Sequence, residues 1–245
     1  MPLFTSKTMH TQPLRAGFSF SGTRVGDLGA TEYTLVGVAA DTSSSVHAFA
    51  PRIEQCIKEV VGACRRSPRA DNLMLRLITF DSTLSEVHGF RPLSDCPQAS
   101  YDGSIRCQGM TALYDAATTL VESVGAYGKT LSDADFDVNG IVFVITDGGD
   151  NASTHDAKAL GDALARVRSA EHVESMVSVL VGVNVADPKL QGYLSDLAQT
   201  AGFTQFLPID DASESSLARL AQFVSRSISA QSMALGTGAS QPIGF

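Results

Sequence analysis

Two kinds of hydrophobic pattern alternate along the chain from about residue 33 onward. Short continuous apolar runs predict strands that are covered on both faces, and apolar residues that recur every three or four positions predict amphipathic helices. Strands are expected at about residues 34–40, 73–80, 83–90, 140–147, 176–183 and 205–209, and helices at about 51–64, 111–127, 154–169, 188–200 and 213–229. This alternation is typical of a doubly wound α/β domain with a mostly parallel central sheet and helices on both faces.

One predicted strand departs from the parallel arrangement. Only Asp81 and Ser82 separate residues 73–80 from residues 83–90, and so short a connection joins antiparallel neighbours. We therefore predict one antiparallel edge strand, with Asp81 as a turn residue; a place for Asp81 on the rim of a binding site is the alternative. Residues 91–109 carry two prolines and two glycines without periodicity and are expected to form a surface loop.

The two ends of the chain fit this alternation less well. Residues 1–31 hold the period-two fragment Phe18-Ser-Phe-Ser and turn-forming glycines, so we expect an N-terminal extension that is either an edge hairpin or a partly ordered arm. Residues 32–230 are the predicted α/β domain. Residues 231–245 have the Gly, Ser and Pro character of a flexible C-terminal tail.

The composition of the 245-residue chain excludes several classes of protein. Hydrophobic residues make up 44% and charged residues 18%, which is too apolar for a disordered chain. Asp and Glu total 26 against 18 Lys and Arg, and the resulting net charge of -8 would repel a phosphate backbone. A nucleic-acid partner is therefore not expected.

Hydropathy and cysteine spacing indicate where the protein acts. The longest apolar runs are of strand length, far below the about 20 residues that cross a bilayer, so a membrane partner is not expected. The first residues lack the basic start and apolar middle of a secretory signal, which predicts a cytoplasmic protein. The four cysteines include no Cys-x-x-Cys pair and indicate neither a disulfide framework nor a zinc site.

Oxygen-bearing side chains concentrate in three segments next to predicted strands and helices. Because loops at the carboxyl ends of parallel strands converge at one edge of the sheet, we expect the three segments to lie together. They are Asp41-Thr42-Ser43-Ser44-Ser45 at the end of the first strand, Gly109-Met110-Thr111 before the helix at 111–127, and Asp147-Gly148-Gly149-Asp150-Asn151 at the end of the strand at 140–147.

The donors in these segments are carboxylates and hydroxyls, without cysteine or histidine. Hard oxygen donors suit magnesium, calcium or manganese better than zinc or copper. A plain helix cap by Asp41 or Ser43 explains the first segment without metal. Asp150 is expected to cap the following helix through Asn151 or Ser153, with support of the metal ligands as the alternative.

Three motifs together resemble the von Willebrand factor type A (VWA) family, in its intracellular bacterial type. They are Asp-x-Ser-x-Ser at a first strand end, a threonine in a Gly-x-Thr loop that opens a helix, and Asp-Gly at the end of a buried strand. The match covers about residues 32–230 in order and spacing. The resemblance implies a metal-ion-dependent adhesion site (MIDAS) that holds Mg²⁺, or Mn²⁺ or Ca²⁺, on Asp41, Ser43, Ser45, Thr111 and Asp147.

The resemblance also implies a function. Members of the family bind protein partners through an exposed Asp or Glu that reaches the cation, and intracellular members act as adaptors in multiprotein assemblies. Among these are bacterial partners of ring-shaped ATPases and stress-response proteins of tellurium-resistance clusters. The small residues Ala39 and Ala40 before Asp41 and the N-terminal extension depart from the family pattern.

Two other functions stay open at this point. A magnesium-dependent hydrolase of phosphoesters would use the metal to activate water, but the sequence shows no nucleophile and base pair, so an enzyme is not expected. A structural subunit would use the same fold without metal.

Overall fold

A computed structural model describes residues 9–209 and 213–234. The strands in this part are β1 (Met9–Pro13), β2 (Ser19–Thr23), β3 (Glu32–Asp41), β4 (Leu73–Phe80), β5 (Leu84–Pro92), β6 (Asp137–Thr146), β7 (Ser175–Val183) and β8 (Gln205–Ile209). The helices are α1 (Ala50–Arg65), α2 (Leu113–Ser132), α3 (Ala157–Arg168), α4 (Pro188–Ala201) and α5 (Glu214–Ala234). None of these helices combines the length and apolarity needed to cross a membrane.

The strands form one sheet in the order β1-β2-β5-β4-β3-β6-β7-β8. Strands β4, β3, β6, β7 and β8 run parallel to one another, and β5 runs antiparallel to β4. The predicted doubly wound, mostly parallel α/β fold is confirmed, and the strand after residues 73–80 is antiparallel as predicted, but it does not form the edge of the sheet. The structure adds two strands beyond β5, because the hairpin of β1 and β2 continues the sheet through a parallel contact of Gly22 with Phe90.

The central strand β3 is covered on both faces, as its continuous apolar run predicts. Leu35 and Ala39 face a core cluster that includes residues of α2, α3 and α4. Val36 and Val38 face a second cluster that includes residues of α1 and α5. Alternate side chains of this one strand therefore lie in two separate cores, and the strand ends at Asp41.

Three element boundaries differ from the predictions. Strand β6 begins at Asp137, three residues before the predicted start at about residue 140, and Asn139 is buried. Helix α5 continues to Ala234, beyond the predicted end of the domain at 230. Residues 91–109 begin with the end of β5 and hold two short 3-10 turns, with Tyr101 buried. Residues 235–245 of the tail predicted for 231–245, and residues 1–8 of the predicted extension, lie outside the described residues.

His88 in β5 is a buried histidine that the fold holds uncharged. Its Nδ1 lies 3.0 Å from the Gly89 carbonyl oxygen and its Nε2 lies 2.9 Å from the Tyr101 hydroxyl. Because a carbonyl only accepts, Nδ1 carries the proton and Nε2 accepts from Tyr101. Burial, and then the charge of Arg91, lower the pKa of His88 to about 3.

We predict that this histidine weakens the fold on acidification. Between pH 6.5 and 3 the unfolded chain binds a proton at His88 that the folded chain does not, so stability falls as pH falls through this window. At pH 5 the loss from this group is about 2 kcal/mol. Urea unfolding at pH 7, 6 and 5 should give a shallower pH dependence for His88→Gln than for wild type. The exposed His47→Gln is the control, and equal slopes in both variants would contradict the prediction.

Candidate metal centre

Four of the five predicted ligands lie in one hydrogen-bonded chain at the carboxyl edge of the sheet. Asp41 ends β3, and Asp147 follows β6, the parallel neighbour of β3. The Asp41 Oδ1 atom accepts from the Ser43 backbone N–H at 2.8 Å. The Ser43 and Ser45 hydroxyl oxygens lie 3.0 Å apart, and the Ser45 hydroxyl donates to Asp147 Oδ1 at 2.9 Å. The structure therefore brings the first and third segments together as predicted.

The fifth predicted ligand, Thr111, joins this cluster through backbone contacts. Gly109, with a φ of +68°, accepts at its carbonyl from the Ser44 N–H at 3.1 Å. The Thr111 N–H donates to Asn151 Oδ1 at 2.7 Å, and the Thr111 carbonyl accepts from the Asn151 N–H at 3.0 Å. The second segment is thus tied to both others, while the Thr111 hydroxyl makes no hydrogen bond to any residue that the structure describes.

The two carboxylates are buried without a neutralising charge. Asp41 is 0% exposed, and burial raises its pKa to about 6, although hydrogen bonds from Thr146 and Ser43 act in the opposite direction. Burial also raises the pKa of Asp147. Within the described residues neither carboxylate forms an ion pair with Lys, Arg or His. Buried carboxylates in such surroundings are stabilised as anions by a bound cation.

The donor chemistry fits a hard divalent cation. Within residues 9–209 and 213–234 no group of three or more His, Cys, Asp or Glu side chains could hold a metal ion, so a site here depends on hydroxyl oxygens. Two carboxylates and three hydroxyls supply such oxygens, and they are donors that suit Mg²⁺, Mn²⁺ or Ca²⁺. Mg²⁺ takes six oxygens, which leaves at least one position for water or a partner's oxygen.

Thr146, which the sequence analysis did not single out, supports Asp41 directly. Its buried hydroxyl donates to Asp41 Oδ2 at 2.6 Å and lies 3.0 Å from the Gly148 carbonyl oxygen. A hydroxyl at the end of an otherwise apolar strand is the one sequence signal that could have identified it. This bond fixes the orientation of the carboxylate that the cation would use.

The prediction that Asp150 caps the following helix is wrong. Asp150 Oδ1 accepts from the Tyr114 N–H at 3.2 Å, so it caps the start of α2, which precedes it in the chain. Helix α3 is instead capped by Asp156, whose Oδ1 accepts from the Ala159 N–H at 2.8 Å. The capping chemistry was correct, but spacing along the chain does not show which helix start lies nearby in space.

Asp115 fixes the backbone that follows the third segment and was also missed. Its carboxylate accepts from the N–H groups of Thr154 at 3.0 Å and His155 at 2.9 Å, and from His155 Nδ1 at 2.6 Å. Burial raises the pKa of Asp115, but these hydrogen bonds outweigh burial and the net shift is downward.

Asp81 is the predicted turn residue, since its Oδ1 accepts from the Thr83 N–H at 2.8 Å.

Cys107 is a cysteine close to the candidate metal centre that chemical labelling can probe. Burial, and then the charges of Asp41 and Asp147, raise the pKa of its thiol, which places it near both carboxylates. It is the partly exposed cysteine, whereas Cys56, Cys64 and Cys96 are buried. We predict that iodoacetamide first adds one adduct, at Cys107, because alkylation needs access to the thiolate. Intact mass should show that this adduct is lost in Cys107→Ser and retained in Cys64→Ser; two equally fast adducts would contradict the prediction.

No protein-family model matches the sequence, and no protein with a curated function is significantly similar to it. Solved structures are similar in fold. The D319A mutant of the PilB minor pilin from Streptococcus sanguinis superposes with a TM-score of 0.58 at 11% identity, over 87% of this chain and 65% of that chain. BatB from Bacteroides thetaiotaomicron gives a TM-score of 0.51 at 16% identity, over 79% of this chain and 98% of that chain.

A third similar structure has a metal-binding motif that is occupied by zinc. Proximal thread matrix protein 1 from the mussel byssus, with a zinc-occupied MIDAS motif, gives a TM-score of 0.53 at 18% identity, over 80% of this chain and 46% of that chain. The chain therefore spans less than half of the mussel protein. At these identities the likeness establishes the arrangement of strands and helices, and the mussel protein and BatB are VWA-type structures. The chain has the fold of the von Willebrand factor type A domain.

Proposed function

We propose that the chain is a protein-binding module that depends on a divalent cation. Asp41, Ser43, Ser45, Thr111 and Asp147 hold the cation, and an exposed Asp or Glu of a partner protein completes its coordination. The observation that carries the proposal is the hydrogen-bonded chain from Asp41 through both serines to Asp147, which gathers two buried carboxylates without a countercharge. The zinc-occupied MIDAS of the similar mussel structure supports a divalent cation here.

The charges of the ligands give the mechanism. A bound cation supplies a Lewis-acidic position at the protein surface. Asp41 and Asp147 together offset a charge of about two, and the hydroxyls add none, so the site keeps its attraction for a further carboxylate. The Thr146 hydroxyl and the Ser43 N–H hold the Asp41 carboxylate in one orientation through hydrogen bonds of 2.6 and 2.8 Å. The partner's acidic residue thus fills an open coordination position of the cation.

We further propose Mg²⁺ as the cation and an adaptor role in a cytoplasmic multiprotein assembly. The all-oxygen donor set supports magnesium, and it supports manganese or calcium equally. The adaptor role rests on the resemblance of the three motifs to intracellular VWA proteins, among which are stress-response proteins and partners of ATPases. Cell fractionation of the tagged protein tests the location.

Calorimetric titration with Mg²⁺, Mn²⁺, Ca²⁺ and Zn²⁺ tests the proposed cation site. Wild type should show saturable binding at one site per chain, and Ser43→Ala should weaken it by about tenfold or more, because a ligand hydroxyl is lost. Ser44→Ala is the matched control, since the contact of Ser44 to Gly109 uses only its backbone N–H. Binding that is equal in both variants, or no saturable binding of any of the four cations, would favour a metal-independent structural subunit.

A further inference from the structure

Two large hydrophobic side chains stand out on the surface of the described residues. Met110 is 55% exposed and Tyr193 is 37% exposed, and among the side chains whose exposure the structure describes no other large hydrophobic one is exposed to this degree. Single apolar side chains are ordinary on a protein surface. Their position is the informative point, because both lie at the rim of the candidate metal centre.

Met110 lies on one side of the centre. It directly precedes Thr111, and its backbone N–H donates at 2.8 Å to the hydroxyl of Ser82, which follows β4. A Cβ on the adjacent Gly109 would approach the Ser82 hydroxyl to 2.7 Å, so the Gly109-Met110 backbone sits close against that turn. Met110 is therefore placed over the end of β4, with its side chain exposed to solvent.

Tyr193, on α4, lies on the other side. A Cβ on Gly149 would come within 2.9 Å of its ring, so the ring packs on the loop that follows β6. Its hydroxyl accepts from the Asp150 N–H at 3.3 Å and lies 2.6 Å from the Tyr114 hydroxyl. These contacts hold the ring in one place while more than a third of the residue stays exposed. A fixed aromatic ring loses little conformational entropy when a partner covers it.

The sheet order sets the spacing of the two side chains. Strand β3, which ends in Asp41, lies between β4 and β6. Neighbouring strands are about 4.8 Å apart, so the ends of β4 and β6, next to which the two side chains lie, are separated by about 10 Å with Asp41 at the end of β3 between them. This is the span of a few residues of an extended or looped peptide.

We propose that Met110 and Tyr193 form an apolar rim that binds hydrophobic side chains on either side of the partner's acidic residue. The inference rests on the proposed function and specifies the partner as a protein loop of the pattern apolar, Asp or Glu, apolar. The net charge of -8 argues for the same occupant, because a strongly acidic segment would be repelled by the chain as a whole. One carboxylate between apolar neighbours gains the cation contact with little of that repulsion.

A loop library on a fibronectin type III scaffold tests the proposal directly. Seven randomised loop residues are selected on the wild-type chain in Mg²⁺, and binders that remain in EDTA are removed. We expect the selected loops to contain Asp or Glu with hydrophobic residues close on both sides. The probe for all affinities is the best selected binder, measured by biolayer interferometry.

Variants of the rim separate its role from that of the cation. Met110→Ser and Tyr193→Ser should each weaken the selected binder by about tenfold, the effect of removing one buried apolar contact. Tyr193→Phe keeps the ring and should retain most of the affinity. Lys158→Ser is the control, because the Lys158 side chain is 80% exposed on α3. Thermal melting identifies any variant that lowers affinity by unfolding.

The outcomes distinguish the two proposals. Selected loops that keep the acidic residue but carry polar neighbours, or affinities unchanged in Met110→Ser and Tyr193→Ser, overturn the apolar rim and leave the cation-dependent site intact. Selected loops without an acidic residue, or no EDTA-sensitive loop at all, overturn the proposed function and the rim with it.

Discussion

Replacement of Asp41 by Asn is expected to reduce divalent-cation affinity by at least about 100-fold. Two unit charges about 4 Å apart attract by about 4 kcal/mol at an effective dielectric constant near 20, and a factor of 100 needs less than that. Asp41 supplies one of the two charges in the donor set and is fully buried, so water screens it poorly. Cation-dependent partner binding should be lost to the same extent.

The same substitution should leave the fold intact. The asparagine side chain would keep an oxygen to accept from the Ser43 N–H, as Asp41 does at 2.8 Å. Thr146 now donates to Asp41 Oδ2 at 2.6 Å and has the Gly148 carbonyl as a second acceptor at 3.0 Å. In Asp41→Asn the Thr146 hydroxyl can turn to Gly148 and accept from the new amide. Both hydrogen-bonding contacts of Asp41 then have a counterpart in the variant, and one buried negative charge is removed.

Calorimetry and thermal melting on the same samples separate the two effects. Asp81→Asn is the matched control, because Asp81 follows the neighbouring strand β4 and its Oδ1 accepts from the Thr83 N–H, which an amide oxygen also allows. We expect Asp41→Asn to melt at or above the wild-type temperature in EDTA and to gain no stability from Mg²⁺. Wild-type cation affinity in Asp41→Asn would remove Asp41 from the ligand set, and turnover of a phosphoester by wild type but not by Asp41→Asn would favour the hydrolase.

The sequence predicts that the three loops lie together because the hydrophobic pattern identifies the strands whose ends bring them together. Continuous apolar runs identify buried parallel strands, and the carboxyl ends of such strands meet at one edge. Asp41 and Asp147 end neighbouring strands, so their approach follows from strand order and the motif resemblance. The serines between them lie within four residues of Asp41 and are brought along by the chain itself.

The hydrophobic pattern does not predict side-chain contacts between segments that are far apart in the sequence. Asp115 and His155 meet across 40 positions, and the hydroxyls of Tyr114 and Tyr193 meet across 79. Neither pair has a periodic signal, because each depends on where the start of α2 lies relative to the segment before α3 or to α4. Asp150 shows the same limit, since its capping role was foreseen and its helix was not.

The sequence pattern of the N-terminal extension fitted a hairpin and a partly ordered arm equally well. The contacts that hold it in the sheet include the strand contact of Gly22 with Phe90 and hydrogen bonds to Glu86 of β5. The Glu86 carboxylate accepts from both the N–H and the hydroxyl of Ser21 in β2. A Cβ on Gly89 would meet the Ser21 carbonyl oxygen at 2.0 Å, so β2 lies directly against this glycine. Glycine inside a predicted strand was the available sign of a close backbone approach.

Loss of Glu86 is therefore expected to destabilise the chain strongly. Arg76 of β4 is 1% exposed and donates to Glu86 from Nε at 3.0 Å, while its Nη1 donates to the Ser123 hydroxyl at 3.2 Å. Glu86→Ala would leave a buried guanidinium without its carboxylate and release the contacts to Ser21. Breaking a buried ion pair from one side costs about 3–5 kcal/mol, which urea unfolding would show as a lower midpoint.

A second variant tests whether the unpaired charge is the cause. Arg76→Met combined with Glu86→Ala removes both charges and should recover a large part of the lost stability, because an apolar side chain of similar length can fill the buried site. Glu171→Ala, at an exposed position, is the control. If Glu86→Ala unfolds like this control, the ion pair does not stabilise the sheet. If the double variant is no more stable than Glu86→Ala alone, the loss comes instead from the Ser21 contacts that hold the hairpin against β5.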